Sequence, residues 1–166
     1  CDNLRELTLG RNYQGLPALL ASCPNLERVT LRRVLPSEGV GTFSVLGDRP
    51  GLRHLEVSVD RAAFVELHRC CLGRLENLQT LAVTYTDQTT GPDWGSFSLA
   101  GLREVRLRSP FLSLDFSPIL LSARSLQRLH VSNRKGNYCR VIGVLPELAC
   151  LRFFSCFIGS ADDKEL

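Results

Sequence analysis

The chain has 166 residues, 44% of them hydrophobic, with 20 basic and 17 acidic side chains and a formal net charge of +3. This length is typical of one domain, so we interpret residues 1–166 as a single domain. No stretch approaches the roughly 18 apolar residues of a membrane-spanning helix, and we expect no membrane partner. The opening Cys-Asp-Asn-Leu lacks the pattern of a secretion signal, which favours an intracellular location in the cytoplasm or nucleus.

A short apolar motif, Leu-x-x-Leu-x-Leu, recurs along the chain. Its seven copies are Leu4/Leu7/Leu9, Leu26/Val29/Leu31, Leu52/Leu55/Val57, Leu78/Leu81/Val83, Leu102/Val105/Leu107, Leu126/Leu129/Val131 and Leu148/Leu151/Phe153. Successive copies start 22, 26, 26, 24, 24 and 22 residues apart. This spacing resembles that of the leucine-rich repeat, in which each repeat supplies one strand and a returning helix or irregular arm.

The motif therefore predicts an α/β fold, a leucine-rich-repeat solenoid of about seven repeats shaped as a horseshoe arc. A curved parallel sheet would form its concave face, and helices and irregular loops its convex face. Within each copy the alternation has the period of two that is typical of a strand. We predict one buried row of side chains from adjacent strands: Leu7, Val29, Leu55, Leu81, Val105, Leu129 and Leu151.

The segments between the motifs differ from one another. Helical spacing of apolar residues predicts helices within 14–23, 61–75, 116–123 and 138–145. The segments 35–50 and 86–98 are rich in Gly, Pro, Ser, Thr and Asp, and we predict loops there. The second loop holds the single tryptophan, Trp94. It either packs over the adjacent repeat or serves as an anchor for a binding partner.

The seven cysteines form an odd set without a Cys-x-x-Cys pair. We interpret them as free thiols, most of them buried, in a reducing compartment. Cys156 is expected to turn inward at the ninth motif position, where Asn12 stands in the first copy. Terminal capping repeats are not evident, so we expect the chain to be a piece of a longer repeat protein.

Motifs that would indicate catalysis are not found. The sequence contains no phosphate-binding Gly-x-x-x-x-Gly-Lys-Ser/Thr loop, no His-Glu-x-x-His and no Gly-x-Ser-x-Gly. The run His68-Arg69-Cys70-Cys71 offers zinc-binding side chains, but residues this close cannot all face one tetrahedral ion from a regular helix. We therefore expect no enzymatic activity, no cofactor, no metal and no small-molecule substrate.

Charge is the strongest functional signal, because it is segregated. The 35 non-core positions in and beside the seven motifs hold eleven arginines against four glutamates, while the other positions are net acidic. Basic residues are 18 Arg and only 2 Lys, and arginine forms forked bonds to carboxylates and phosphates. The candidate partner-binding residues of the concave face are Arg28, Arg32, His54, Arg106, Arg108, Arg128, His130 and Arg152. The alternative to partner binding is that these arginines only form a solvated surface, since arginine is tolerated on an exposed strand.

Lateral neighbours follow from this arrangement. We expect Arg106 and Arg108 beside Arg128 and His130, with Arg152 one strand further. Reversing Arg106, Arg108 and Arg128 to Glu should abolish partner binding.

The segments Ser22-Cys23-Pro24-Asn25-Leu26 and Cys1-Asp2-Asn3-Leu4 resemble the Cys-Pro-Asn-Leu entry of cysteine-containing leucine-rich repeats, as in F-box/LRR proteins. That resemblance implies a protein-protein interaction module, the substrate-recognition repeats of an F-box-type ubiquitin ligase. The other hypothesis is a stand-alone scaffold or inhibitor. Either would bind an acidic protein partner on the basic concave face, with a nucleic acid as the less favoured alternative.

Overall fold

Seven strands form one sheet in the computed structural model, which describes residues 1–10, 15–34, 36–86, 100–109, 120, 122–133 and 145–158. Only the backbone is described at 36–40, 133 and 158. The strands are β1 (Glu6–Leu9), β2 (Arg28–Leu31), β3 (His54–Val59), β4 (Thr80–Tyr85), β5 (Glu104–Ser109), β6 (Arg128–Asn133) and β7 (Phe153–Ile158). Neighbours in the chain are neighbours in the sheet, and every pairing is parallel. The predicted series of parallel strands is confirmed.

Helices connect the first four strands. They are α1 (Leu16–Ala21), α2 (Pro36–Gly47) and α3 (Arg61–Cys70), and a 3₁₀ turn at Leu72–Arg74 follows α3. The helices predicted within 14–23 and 61–75 are therefore confirmed. In the predicted helix 116–123, residues 120 and 122 are helical, and most of the segment lies outside the described residues. So do most of 138–145, Trp94, and the predicted loop 86–98 except Thr86.

The loop predicted for 35–50 is wrong, because α2 occupies most of that segment. Glycine disfavours a helix interior by about 1 kcal/mol per residue, but here tertiary packing outweighs that preference. Phe43 and Leu46 are completely buried. The glycines permit the close packing: a Cβ atom at Gly41 would lie 3.1 Å from the Pro17 side chain, and one at Gly47 would overlap the carbonyl oxygen of Cys70.

The buried row of the sheet follows the second leucine of the motif. The register aligns Leu7, Val29, Leu55, Leu81, Val105 and Leu129 on adjacent strands. All are buried except Leu7, which is half-buried because β1 has a described neighbour on one side only. The prediction of this row is therefore confirmed for its first six members.

The prediction for the seventh member of the row, Leu151, is wrong. The strand register places Phe154, not Leu151, beside Leu129. The backbone amide of Leu151 donates to the Leu148 carbonyl at 2.9 Å, as that of Leu126 does to Ala123 at 3.0 Å. Leu151 is thus the counterpart of Leu126, and the last copy is Leu151/Phe154/Cys156. The sequence is compatible with the motif starting at Leu148 or, three residues later, at Leu151.

Side chains just before the strands join successive turns. Asn25 Nδ2 donates to the Asp2 carbonyl at 2.7 Å, and Asn77 Nδ2 donates to the Pro50 carbonyl at 2.9 Å. Arg49 occupies the position at which Cys23 is buried, and its Nη2 donates to the Leu20 carbonyl at 2.8 Å. An arginine is tolerated there because its guanidinium group donates to the Leu20 and Ala21 carbonyls at the C-terminal end of α1.

The cysteine predictions are met only in part. The six described cysteines are free thiols, as predicted, and Cys139 lies outside the described residues. Cys23 and Cys71 are buried, but Cys1, Cys150 and Cys156 are exposed. The ninth-position role predicted for Cys156 is wrong, because the register places it beside Val131 on the core side of β7. It is exposed because β7 is the last described strand of the sheet.

Candidate functional site

The side chains that alternate with the buried row form the second face of the sheet, which we name the open face. Its three lateral rows are Glu6, Arg28, His54, Thr80, Glu104, Arg128 and Phe153; Thr8, Thr30, Glu56, Ala82, Arg106, His130 and Ser155; and Ser58, Thr84, Arg108, Ser132 and Phe157. Because strand neighbours lie about 4.8 Å apart, side chains within a row are in lateral contact distance. These rows contain four arginines and three glutamates.

Six of the eight predicted partner-binding residues lie on the open face: Arg28, His54, Arg106, Arg108, Arg128 and His130. Arg32 is an exposed residue directly after β2, and its amide donates to the Leu9 carbonyl at 3.0 Å. As predicted, Arg106 lies opposite His130. The sequence pattern therefore located most of this surface.

The position predicted for Arg152 is wrong. It precedes β7, its backbone amide donates to Gln127 at 2.9 Å, and Phe153 takes the place beside Arg128. The cause is the three-residue shift of the last motif. Arg152 is exposed, but it lies outside the three rows.

An ion pair on β5 neutralises one of the arginines. Arg106 Nε donates to Glu104 Oε1 at 2.7 Å, and Nη2 of the same guanidinium lies 2.6 Å from that oxygen. The spacing of two residues places both side chains on the same face of the strand. The Glu104 side chain is 15% exposed and that of Arg106 is 58% exposed. Arg106 therefore remains exposed to solvent, while the more buried Glu104 carboxylate balances its charge.

Arg108 and Arg128 are differently placed. Both are exposed, and among the described residues neither forms an ion pair with a carboxylate. Arg108 lies opposite Ser132, and Arg128 lies between Glu104 and Phe153 in its row. These two guanidinium groups leave the β5–β6 part of the open face with positive charge that its own carboxylates do not balance.

The β1–β3 part of the open face is closer to balance. Arg28 Nε lies 3.8 Å from Glu6 Oε1 on the neighbouring strand. Burial lowers the pKa of His54 below its ordinary value, and the adjacent Arg28 lowers it further. His54 is therefore neutral at neutral pH, and it adds a polar ring to this part of the face.

His130 lies at the centre of a polar and aromatic cluster. Its Nδ1 shares a hydrogen bond of 2.8 Å with Ser155 Oγ, and its Nε2 lies 3.8 Å from Glu104 Oε1. Its ring also packs at a tilt against Phe153, with ring centroids 5.1 Å apart. These contacts hold the imidazole in one orientation beside Arg106.

Two adjoining depressions run across the middle of the open face. One, of about 230 Å³, is lined by residues of β2 to β5, and the other, of about 200 Å³, by residues of β3 to β6. They share Glu56, Ala82 and Arg106. The small side chain of Ala82 lies between the longer side chains of its neighbours, Glu56 and Arg106. The face therefore has a shallow channel across the strands rather than a closed pocket.

Two aromatic residues of this face were missed by the sequence analysis. Phe153 is 48% exposed and Phe157 is 63% exposed, and both alternate with Ser155 on β7. The alternation Phe-x-Ser-x-Phe could have revealed them, but the misplaced motif assigned Phe153 to the core. The open face thus ends in an apolar margin.

The described part of the chain contains no cluster of three or more His, Cys, Asp or Glu residues that could hold a metal ion. Among the same residues, no helix is long and apolar enough to cross a membrane. Comparisons with family models, with curated proteins and with solved structures found no match for this chain.

Proposed function

We propose that the open face binds an acidic segment of a partner protein, and that it is the concave face of a leucine-rich-repeat solenoid. The observation that carries the proposal is the pair Arg108 and Arg128, which lie on adjacent strands without a carboxylate partner among the described residues. Arg108 faces Ser132 and Arg128 faces Glu104, which already pairs with Arg106, so neither guanidinium group has an ion-pair partner of its own among the described residues. A carboxylate-bearing segment would supply the partners that the sheet lacks.

The shape and the residue type support the same proposal. A channel across parallel strands suits an extended segment better than it suits a small molecule, whose sites are concave and mostly apolar. Arginine presents a rigid fork of donors that matches a carboxylate. Arg28, Arg106 and Arg108 line the channel, so a partner that lies in it would meet their guanidinium groups.

The narrower proposal is the substrate-recognition part of an intracellular F-box-type ubiquitin ligase. Its support is the resemblance of the segments at Cys23 and Cys1 to the Cys-Pro-Asn-Leu entry of such repeats. Reading the full-length transcript for an F-box before this segment tests it. A transcript without an F-box would favour the stand-alone scaffold or inhibitor.

The experiment that tests acidic binding is a charge reversal with a matched control. The variant Arg108→Glu/Arg128→Glu changes two exposed side chains of the open face. The control Arg61→Glu/Arg69→Glu makes the same charge change on α3, where both arginines are also exposed. Arg106 is left unchanged because its reversal would oppose Glu104 and disturb the sheet.

The probe is a fluorescein-labelled octaglutamate peptide measured by fluorescence anisotropy. We expect the open-face variant to lose binding, the α3 variant to keep most of it, and wild-type affinity to fall as salt rises. Equal loss of binding in both variants, or binding that does not change with salt, would show that these arginines only form a solvated surface.

A further inference from the structure

We propose that the partner segment carries an apolar side chain next to its carboxylates, and that this side chain docks on Phe153 and Phe157. This inference rests on the proposed function and adds the second chemical feature of the ligand. It concerns one corner of the open face, formed by β5, β6 and β7, which we name the C-terminal corner.

The two aromatic rings are an integral part of that corner. Phe153 lies directly beside Arg128, and Phe157 lies in one row with Ser132 and Arg108. The two phenylalanines are four positions apart along the strand, which corresponds to about 13 Å. His130 packs against Phe153 and bonds to Ser155 between them. Apolar and cationic groups therefore alternate over one continuous surface.

Exposure of these rings has a cost that the other rows avoid. In the first six strands the open-face positions are polar, charged or alanine, whereas β7 places two phenylalanines there. Each of these partly exposed rings forgoes part of the free energy that full burial would provide. Phenylalanine and arginine are both enriched at protein–protein interfaces relative to the rest of the surface.

The surrounding carboxylates favour a protein over a nucleic acid. Glu56 and Glu104 line the channel that leads to the C-terminal corner. A phosphate chain carries a negative charge on every nucleotide and would meet both of them. A peptide can place its carboxylates at Arg108 and Arg128 and put neutral residues over the glutamates.

The spacing of the corner sets the spacing in the ligand. Arg108 and Phe157 lie two strands apart in the same row, which corresponds to about 10 Å. An extended peptide advances about 3.3 Å per residue, so three residues span this distance. The ligand is therefore an extended segment with a carboxylate and an apolar side chain about three positions apart.

The test compares two labelled peptides of equal length and charge. One has four glutamates followed by two serines and a phenylalanine, and the other has serine in place of the phenylalanine. We expect the full 166-residue chain to bind the first about fivefold more tightly, since a partly buried phenylalanine contributes less than its full transfer energy. A single-stranded oligonucleotide of ten thymidines serves as the third probe.

Two variants assign the effect to its residues. Phe153→Ser/Phe157→Ser should bind both peptides with the affinity that wild type has for the serine peptide. Arg108→Gln/Arg128→Gln should weaken both peptides and keep the preference for phenylalanine. Thermal melting shows that each variant folds, and the wild-type comparison stands without the variants.

Each remaining outcome counts against one specific claim. Equal affinity of wild type for the two peptides, with arginine dependence retained, overturns the apolar docking and leaves the proposed function standing. Absence of binding to both overturns both. Tighter binding of the oligonucleotide than of either peptide, or a dimer on size-exclusion chromatography that dissociates in the phenylalanine variant, identifies another occupant and overturns the inference.

Discussion

Glu104 and Arg106 form an ion pair two residues apart on β5, with Arg106 Nε donating to Glu104 Oε1 at 2.7 Å. With the contact between Arg28 and Glu6, this pair leaves two of the four open-face arginines, Arg108 and Arg128, without an ion pair among the described residues. Glu104 thus sets how much positive charge the C-terminal corner presents.

The variant Glu104→Gln tests that role. It keeps an oxygen acceptor for Arg106 but removes the negative charge, so the octaglutamate peptide should bind about twofold to threefold more tightly at low salt. The control Glu76→Gln changes charge equally at an exposed residue before β4. Anisotropy titrations that gave the same gain for both variants would show that net charge alone is measured.

The buried row sets the stability of the sheet. Leu81 is completely buried on β4, in the middle of the seven strands. Replacing it with alanine should lower the free energy of unfolding by about 2–5 kcal/mol, because it loses transfer energy and leaves a cavity. Urea denaturation measures the change, and Thr84→Ala on the open face of the same strand is the control. A loss below about 1 kcal/mol would contradict the row.

The register of β7 predicts different effects at neighbouring phenylalanines. Phe154 follows Leu129 in the buried row, whereas Phe157 is 63% exposed. Phe154→Ala should cost about 2 kcal/mol, less than a fully buried phenylalanine because Phe154 is half-buried, and Phe157→Ala should cost well under 1 kcal/mol. A larger loss of unfolding free energy for Phe157→Ala than for Phe154→Ala would contradict this register and support the one that places Leu151 in the buried row.

Phe154 and Phe157 show which parts of the fold the sequence determines and which it does not. Period-two alternation and near-constant spacing were sufficient for six strands and for the lateral rows through Arg106 and His130. They could not choose between Leu148 and Leu151 as the start of the last motif, because both alignments place apolar letters in the core. The choice depends on the turn in which Leu151 bonds back to Leu148. The exposed phenylalanines were missed for that reason.

The helix α2 was missed for a different physical reason. Glycine and proline content describes the local preference of the isolated chain, and it favours a loop at 35–50. The helix forms because Phe43 and Leu46 are buried and because glycine permits close contact with α1 and α3. That contact exists only once the neighbouring helices are in place, so the local sequence pattern does not predict the helix.

The cysteines should differ in reactivity. Cys1 and Cys150 are exposed, while Cys23 and Cys71 are buried. Burial raises the pKa of the Cys71 thiol far above its ordinary value, so almost no thiolate forms at pH 8. Iodoacetamide in native buffer should modify Cys1 and Cys150 within minutes and Cys71 only after unfolding. Mass spectrometry without reductant should find no native disulfide. Rapid native modification of Cys71 would contradict the packing around α3.

The stability of the chain should fall in mild acid partly through His54. Its pKa in the folded state lies below the ordinary histidine value of 6.5, first because it is partly buried and second because Arg28 is adjacent. Arg53 also lowers this pKa, and Glu104 and Glu6 raise it. Below pH 6.5 the unfolded chain therefore takes up this proton more readily than the folded chain. The contribution of His54 is complete above that pH and is lost as the pH falls toward the folded-state pKa.

Replacing His54 with glutamine should remove this dependence. Urea denaturation between pH 8 and pH 5 should give a flatter curve of unfolding free energy against pH for His54→Gln than for wild type. The control His130→Gln also removes one histidine from the open face but leaves His54 beside Arg28. Its curve should keep the wild-type fall that His54 causes. A slope in His54→Gln equal to that of wild type would place the acid sensitivity elsewhere in the chain.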